Sequence, residues 1–111
     1  MDNDEHDAEL AVIQAEYAAS LPERLAAVER PWSDLQRTGP ADKRRDLTLA
    51  MIRATHGIAG TAALFGFAEL GRVAVELEDF LVDIRNRTSF PPDRDFERIG
   101  KLVLALRGAI G

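Results

Sequence analysis

The chain is 111 residues long, 46% apolar and 30% charged, with no cysteine and a formal net charge of −5. That is room for one compact domain, without disulfides, thiolate metal sites or thiol nucleophiles. Asp2, Asp4, Glu5, Asp7 and Glu9 account for the whole acidic excess, which leaves no basic footprint for nucleic acid, and no apolar run approaches the roughly 18 residues of a membrane span.

Residues 1–6 read as an acidic flexible tail without apolar periodicity, and 7–111 as a single domain of a cytoplasmic protein that has no signal-peptide pattern. From Asp7 the pattern is helical, with Leu10, Ile13 and Tyr17 on one stripe. Ser20 with Glu23 has the form of a capping box, and Pro22 fits a first helical turn, so a kink or restart is expected near Ser20. The helix beyond it carries Leu21, Leu25, Val28, Trp32 and Leu35, with a second bend possible at Pro31. Thr38-Gly39-Pro40 is a turn. Lys43-Arg44-Arg45, flanked by Asp42 and Asp46, reads as a solvated helix start.

The next core stripe is Leu47, Met51, Ala54, Ile58, Ala62 and Phe65, and Phe65-Gly66-Phe67 forms a tight connection. Leu70, Val73, Ala74, Leu77, Leu81 and Ile84 mark a third stripe, and 86–92 a polar loop. A last helix from about Asp93 buries Phe96, Ile99, Val103, Leu106 and Ile110. No segment alternates with a period of two. Single-striped helices on short connections predict an all-α fold, an antiparallel four-helix bundle with an additional N-terminal helix or helical extension.

Of the two histidines, His6 reads as a solvated residue of the tail, with too few fixed ligands around it for a metal. His56 lies roughly 160° around its helix from Ile58, the middle of the core stripe, and so points outward. Leu49, Ile52, Arg53, Ala59, Gly60 and Ala63 share its side, and Gly57 adjoins it. Each helical glycine costs about 1 kcal/mol relative to alanine, so two beside one exposed histidine ask for a reason. On the following helix Gly71, Val75, Glu78 and Val82 fall on one flank of the Leu77 stripe. Packed antiparallel, the two helices would frame His56 with an apolar docking surface of Leu49, Ile52, Gly57, Ala59, Gly60, Ala63, Val75 and Val82. A bare surface histidine beside glycines that serve only helix packing is the alternative.

The segment His56-Gly57-Ile58-Ala59-Gly60-Thr61-Ala62-Ala63-Leu64-Phe65-Gly66-Phe67 resembles the signature of histidine-containing phosphotransfer (HPt) domains. That signature is a His, an aliphatic residue two on, a Lys three on, a Gly four on and a second Gly ten on. Phe65-Gly66-Phe67, with Glu78 twenty-two positions after His56, is similar to the phosphotransfer domain of chemotaxis-type histidine kinases. The resemblance implies that His56 accepts a phosphoryl group at Nε2 while Glu78 hydrogen-bonds the other ring nitrogen. The family's Lys is Ala59 here, and Arg53 or Arg72 could replace it in binding phosphoryl oxygens.

The function so implied is a phosphorelay intermediate, a monomeric carrier rather than an enzyme. It exchanges phosphoryl groups with a histidine kinase, a response-regulator receiver domain, or both. No cofactor is implied for this chain; the magnesium ion belongs to the receiver. The alternatives are a phosphorylation-inactive HPt-like bundle that binds and regulates such a partner, and a helical oligomerisation module.

Overall fold

The computed structural model describes residues 2–88 and 91–110, with side chains from Asp4 onward. Among these residues the chain forms four α-helices: α1 (Asp2–Arg37), α2 (Ala41–Thr61), α3 (Ala68–Thr88) and α4 (Phe96–Ile110), with short 3-10 segments at Ala62–Phe65 and Asp93–Asp95. The helices follow one another around a square, α1 on α2, α2 on α3, α3 on α4, and α4 back on α1. Contacts run antiparallel throughout: Tyr17 meets Thr61, His56 meets Glu78, Glu76 meets Arg98, and Arg107 meets Glu29. The fold is an all-α bundle.

The stripes set the core. Leu21, Leu25, Val28 and Leu35 of α1, Met51 and Ile58 of α2, all six expected residues of α3, and Ile99, Val103 and Leu106 of α4 are buried. Leu102 joins them, and Trp32 packs edge-on against Phe96 with ring centroids 5.4 Å apart. Two buried hydroxyls, Thr48 and Thr55, donate to the carbonyls of Arg44 and Met51 at 2.7 Å, so neither is an unmet polar group.

Three expectations about element boundaries are corrected. First, residues 2–6, three of them acidic, are the opening turns of α1 and not a separate tail. Nothing there breaks a helix, and carboxylates favour its positive N-terminal end. Second, α1 does not restart at Ser20 but runs on unbroken through Pro22 and Pro31. Ser20 Oγ donates to the Tyr17 carbonyl at 2.6 Å and accepts from Arg24 Nε at 2.8 Å, an intrahelical arrangement rather than a cap. Pro22 and Pro31 each deprive a carbonyl four residues earlier of its donor. Those carbonyls belong to the exposed Ala18 and Ala27, where water can reach them. Third, α3 runs to Thr88 and takes in the first part of the expected 86–92 loop; residues 89 and 90 of that loop lie outside the described residues.

A 36-residue helix spans about 54 Å, against about 32 Å for α2 or α3, and the molecule measures 59 × 21 × 20 Å. The N-terminal part of α1 therefore projects past the turn between α2 and α3. Leu10 and Ile13, on the bundle-facing stripe, are 42% and 45% exposed for lack of a helix to cover them.

Candidate functional site

The α2–α3 hairpin creates the site. Ala62–Phe65 tightens the end of α2, and Gly66 closes it with φ +90°, the left-handed shape that L side chains resist. Phe67 N–H donates to the Ala62 carbonyl at 2.9 Å and Gly66 N–H to that of Ala63 at 3.2 Å, a Schellman-type stop. Tyr17 braces the turn from α1, stacking on Phe65 at 4.7 Å and exchanging a 2.8 Å hydrogen bond with Thr61 Oγ1. One turn into α3, Gly71 lies against Ala63. A methyl group on Gly71 would stand 3.4 Å from the Ala63 nitrogen and 3.5 Å from its Cβ, and anything larger would push α3 away. Two turns from that close approach, α2 presents His56 and α3 presents Glu78.

The two side chains meet: His56 Nδ1 lies 2.5 Å from Glu78 Oε2. A carboxylate can only accept, so the hydrogen sits on Nδ1 and the Nε2 lone pair of the neutral ring is left free. Nε2 has no protein partner among the described residues. The His56 side chain is 74% exposed whereas Glu78 is only 19% exposed. The imidazole thus stands in solvent on a carboxylate that is held between helices. A recess lined by Arg37, Lys43 and Leu47 lies away from this site, at the α1–α2 connection. An imidazole so exposed suits attack on a group carried in by another macromolecule better than enclosure of a small substrate.

The glycines beside His56 have no internal role. A Cβ built on Gly57 or on Gly60 meets nothing within 4 Å, so helix packing within the bundle does not require them. Val75 is 44% exposed, Ala63 and Gly60 are exposed, and Leu49, Gly57, Ala59 and Val82 are half-buried. Ile52 is a correction: it is 7% exposed and belongs to the core, because its position on α2 turns it inward towards α3. The apolar surface around His56 is real but lacks that residue.

The two arginines differ. Arg53, three residues before His56, is exposed and makes no ion pair among the described residues. Arg72 is committed elsewhere. It reaches Glu69 at 2.6 Å and Glu76 at 3.5 Å, and Glu76 in turn meets Arg98 of α4. The Glu69 carboxyl is held below its ordinary pKa by hydrogen bonding to Arg72, whose own value is raised by the same contact. Arg72 also sits about 120° around α3 from Glu78, on the side towards α4, so the structure does not bring it to the imidazole.

Arg85 was not among the residues singled out from the sequence. It follows Glu78 by seven positions, a separation of nearly whole turns that keeps it on the same face, and it too is exposed without an ion pair among the described residues. That seven-residue spacing was the available signal. Among the described residues no group of three or more metal-ligating side chains is clustered, and no helix is long and apolar enough to cross a membrane.

The Hpt domain family model matches residues 12–109, nearly the whole chain. No curated protein and no solved structure matches it significantly.

Proposed function

Because the chain belongs to the Hpt domain family, whose members carry phosphoryl groups on histidine in phosphorelay signalling, we propose that His56 is its phosphoacceptor. The observation that carries this reading is the 2.5 Å contact between His56 Nδ1 and Glu78 beneath a solvent-exposed Nε2. The Nε2 lone pair attacks phosphorus, and the bond from phosphorus to the donor group breaks, its electron pair leaving with the partner. Nδ1 keeps its hydrogen throughout. The ring becomes a phosphoimidazolium cation, and the Glu78 carboxylate balances its charge.

Arg53, three residues before His56, exposed and without an ion pair among the described residues, takes the role of attracting the phosphoryl oxygens where the family's lysine is replaced by Ala59. The chain contributes position and charge, and the partner, a histidine kinase or a receiver domain with its own magnesium ion, contributes the rest. On this reading the protein works as a monomeric carrier, not as an independent catalyst. Gly57 and Gly60 leave room for the partner's backbone at the imidazole.

The test is incubation with a phosphorylated receiver domain or a kinase, with the small-molecule donor phosphoramidate in parallel. Phosphoramidate needs no docking: its P–N bond breaks and ammonia leaves. Acid-labile label on the wild type and none on His56→Gln is the expected result; label that survives His56→Gln removes the assignment. Ala59 supports a second reading, an inactive bundle that only binds its partner. Tight binding without label from either donor would favour that one.

A further inference from the structure

Resting on the reading of His56 as the site where a partner docks, we infer that Arg85 is a positioning residue for that partner, whose rim carries an acidic side chain opposite the C-terminal half of α3. Four arginines on helix surfaces, two of them on α3 itself, find carboxylates three or four residues away, whereas Arg85, like Arg24 and Arg53, has none among the described residues. Arg37 pairs with Asp34, Arg45 with Asp42, Arg72 with Glu69 and Arg87 with Asp83. Such pairs are the ordinary fate of a helical guanidinium.

The positions three and four residues before Arg85 and three after it hold Leu81, Val82 and Thr88, so α3 offers no acid at that spacing. Nearby carboxylates do not fill the gap. Asp83 is occupied by Arg87 at 3.0 Å and Glu78 by His56, and Asp46 on the facing helix forms no ion pair with Arg85 among the described residues. Asp79 projects from α3 about 120° around the helix from Arg85, and no ion pair joins the two.

Geometry puts this unmatched cation under the partner. Seven residues of helix place Arg85 about 10 Å from Glu78 along α3. A docked protein covers roughly 800 Å² of its partner, a disc about 16 Å in radius, so a footprint centred on His56 includes Arg85. Covering a guanidinium without a carboxylate opposite it weakens a complex, while a matched pair speeds association and fixes orientation. Arg53 adjoins the imidazole and serves the phosphoryl group. Arg85, two turns away, has its counterpart on the partner.

The experiment measures transfer from a phosphorylated receiver domain that loads the wild type, at low and at high salt, with phosphoramidate labelling of His56 as the partner-free control. At low salt Arg85→Glu is expected to lower the second-order transfer rate about tenfold and Arg85→Ala about threefold, with the loss in KM rather than kcat, and both deficits shrinking when salt screens the charge. Arg85→Lys retains most of the rate, and phosphoramidate labels all variants equally. Arg85→Glu transferring at the wild-type rate in low salt overturns the inference while leaving His56 in place. A wild type that phosphoramidate labels but that no receiver domain loads overturns the docking reading and Arg85's part in it. Absence of label from phosphoramidate overturns His56 itself.

Discussion

An imidazole that attacks phosphorus has to keep one nitrogen bare and the other occupied, and His56 meets both conditions through one contact to Glu78. Glu78→Ala removes the acceptor that fixes the tautomer, so the Nε2–H and Nδ1–H forms become comparably populated. Label transfer is expected to fall about tenfold, a barrier change of about 1.4 kcal/mol, and the nitrogen chemical shifts of the ring will report the mixed tautomers. The neighbouring charge gives a second prediction. Arg53→Ala is expected to slow transfer about three- to tenfold by leaving the phosphoryl oxygens without their cation, and Ala59→Lys on that background to restore it. Both can be read as initial rates against wild type. Motif spacing and helix periodicity put His56 and Arg53 on one side of α2 and Glu78 on a flank of α3, and the structure brings His56 and Glu78 together. The sequence could not sort Arg53 from Arg72, since what distinguishes them is which carboxylates the folded bundle brings within reach.

Element-scale behaviour turns on glycines with opposite reasons for being glycine. Gly60 has open space where a Cβ would go, so Gly60→Ala is expected to stabilise the bundle by up to about 1 kcal/mol through helix propensity. On the proposed function the same methyl group would stand in the partner's path, so transfer is expected to slow. A rise in melting temperature together with a fall in rate is the signature; a rise with unchanged transfer would show that the glycine is not kept for docking. Gly66 has φ +90°, and a Cβ there would approach Gln14 Nε2 to 3.2 Å. Gly66→Ala is accordingly expected to cost about 1–2 kcal/mol, measurable by urea denaturation. The Phe65-Gly66-Phe67 turn could be read from the sequence, because only glycine takes that backbone shape cheaply. Ser20 misled for a related reason: the capping pattern is local, and in α1 the same hydroxyl bonds back along a helix that never stops.

At the scale of the whole molecule, the bundle ends near Tyr17 while α1 continues beyond it. Residues 4–9 are all exposed, and removing the segment up to residue 9 is expected to leave stability within about 0.5 kcal/mol of the full chain, as thermal denaturation would show. Trp32 and Phe96, at the other end, form a packed pair, and Trp32→Ala is expected to cost about 3 kcal/mol by opening a cavity between α1 and α4. The amino-acid order by itself determined the helices, the main face each one buries and the outward placement of His56, since those follow from a 3.6-residue repeat and from the chemistry of glycine. Tertiary structure alone decided how far α1 runs, that Ile52 turns inward, and which arginines are already spent on carboxylates. Those outcomes depend on what stands across from a residue, and a periodic pattern carries no information about distance to a neighbouring helix.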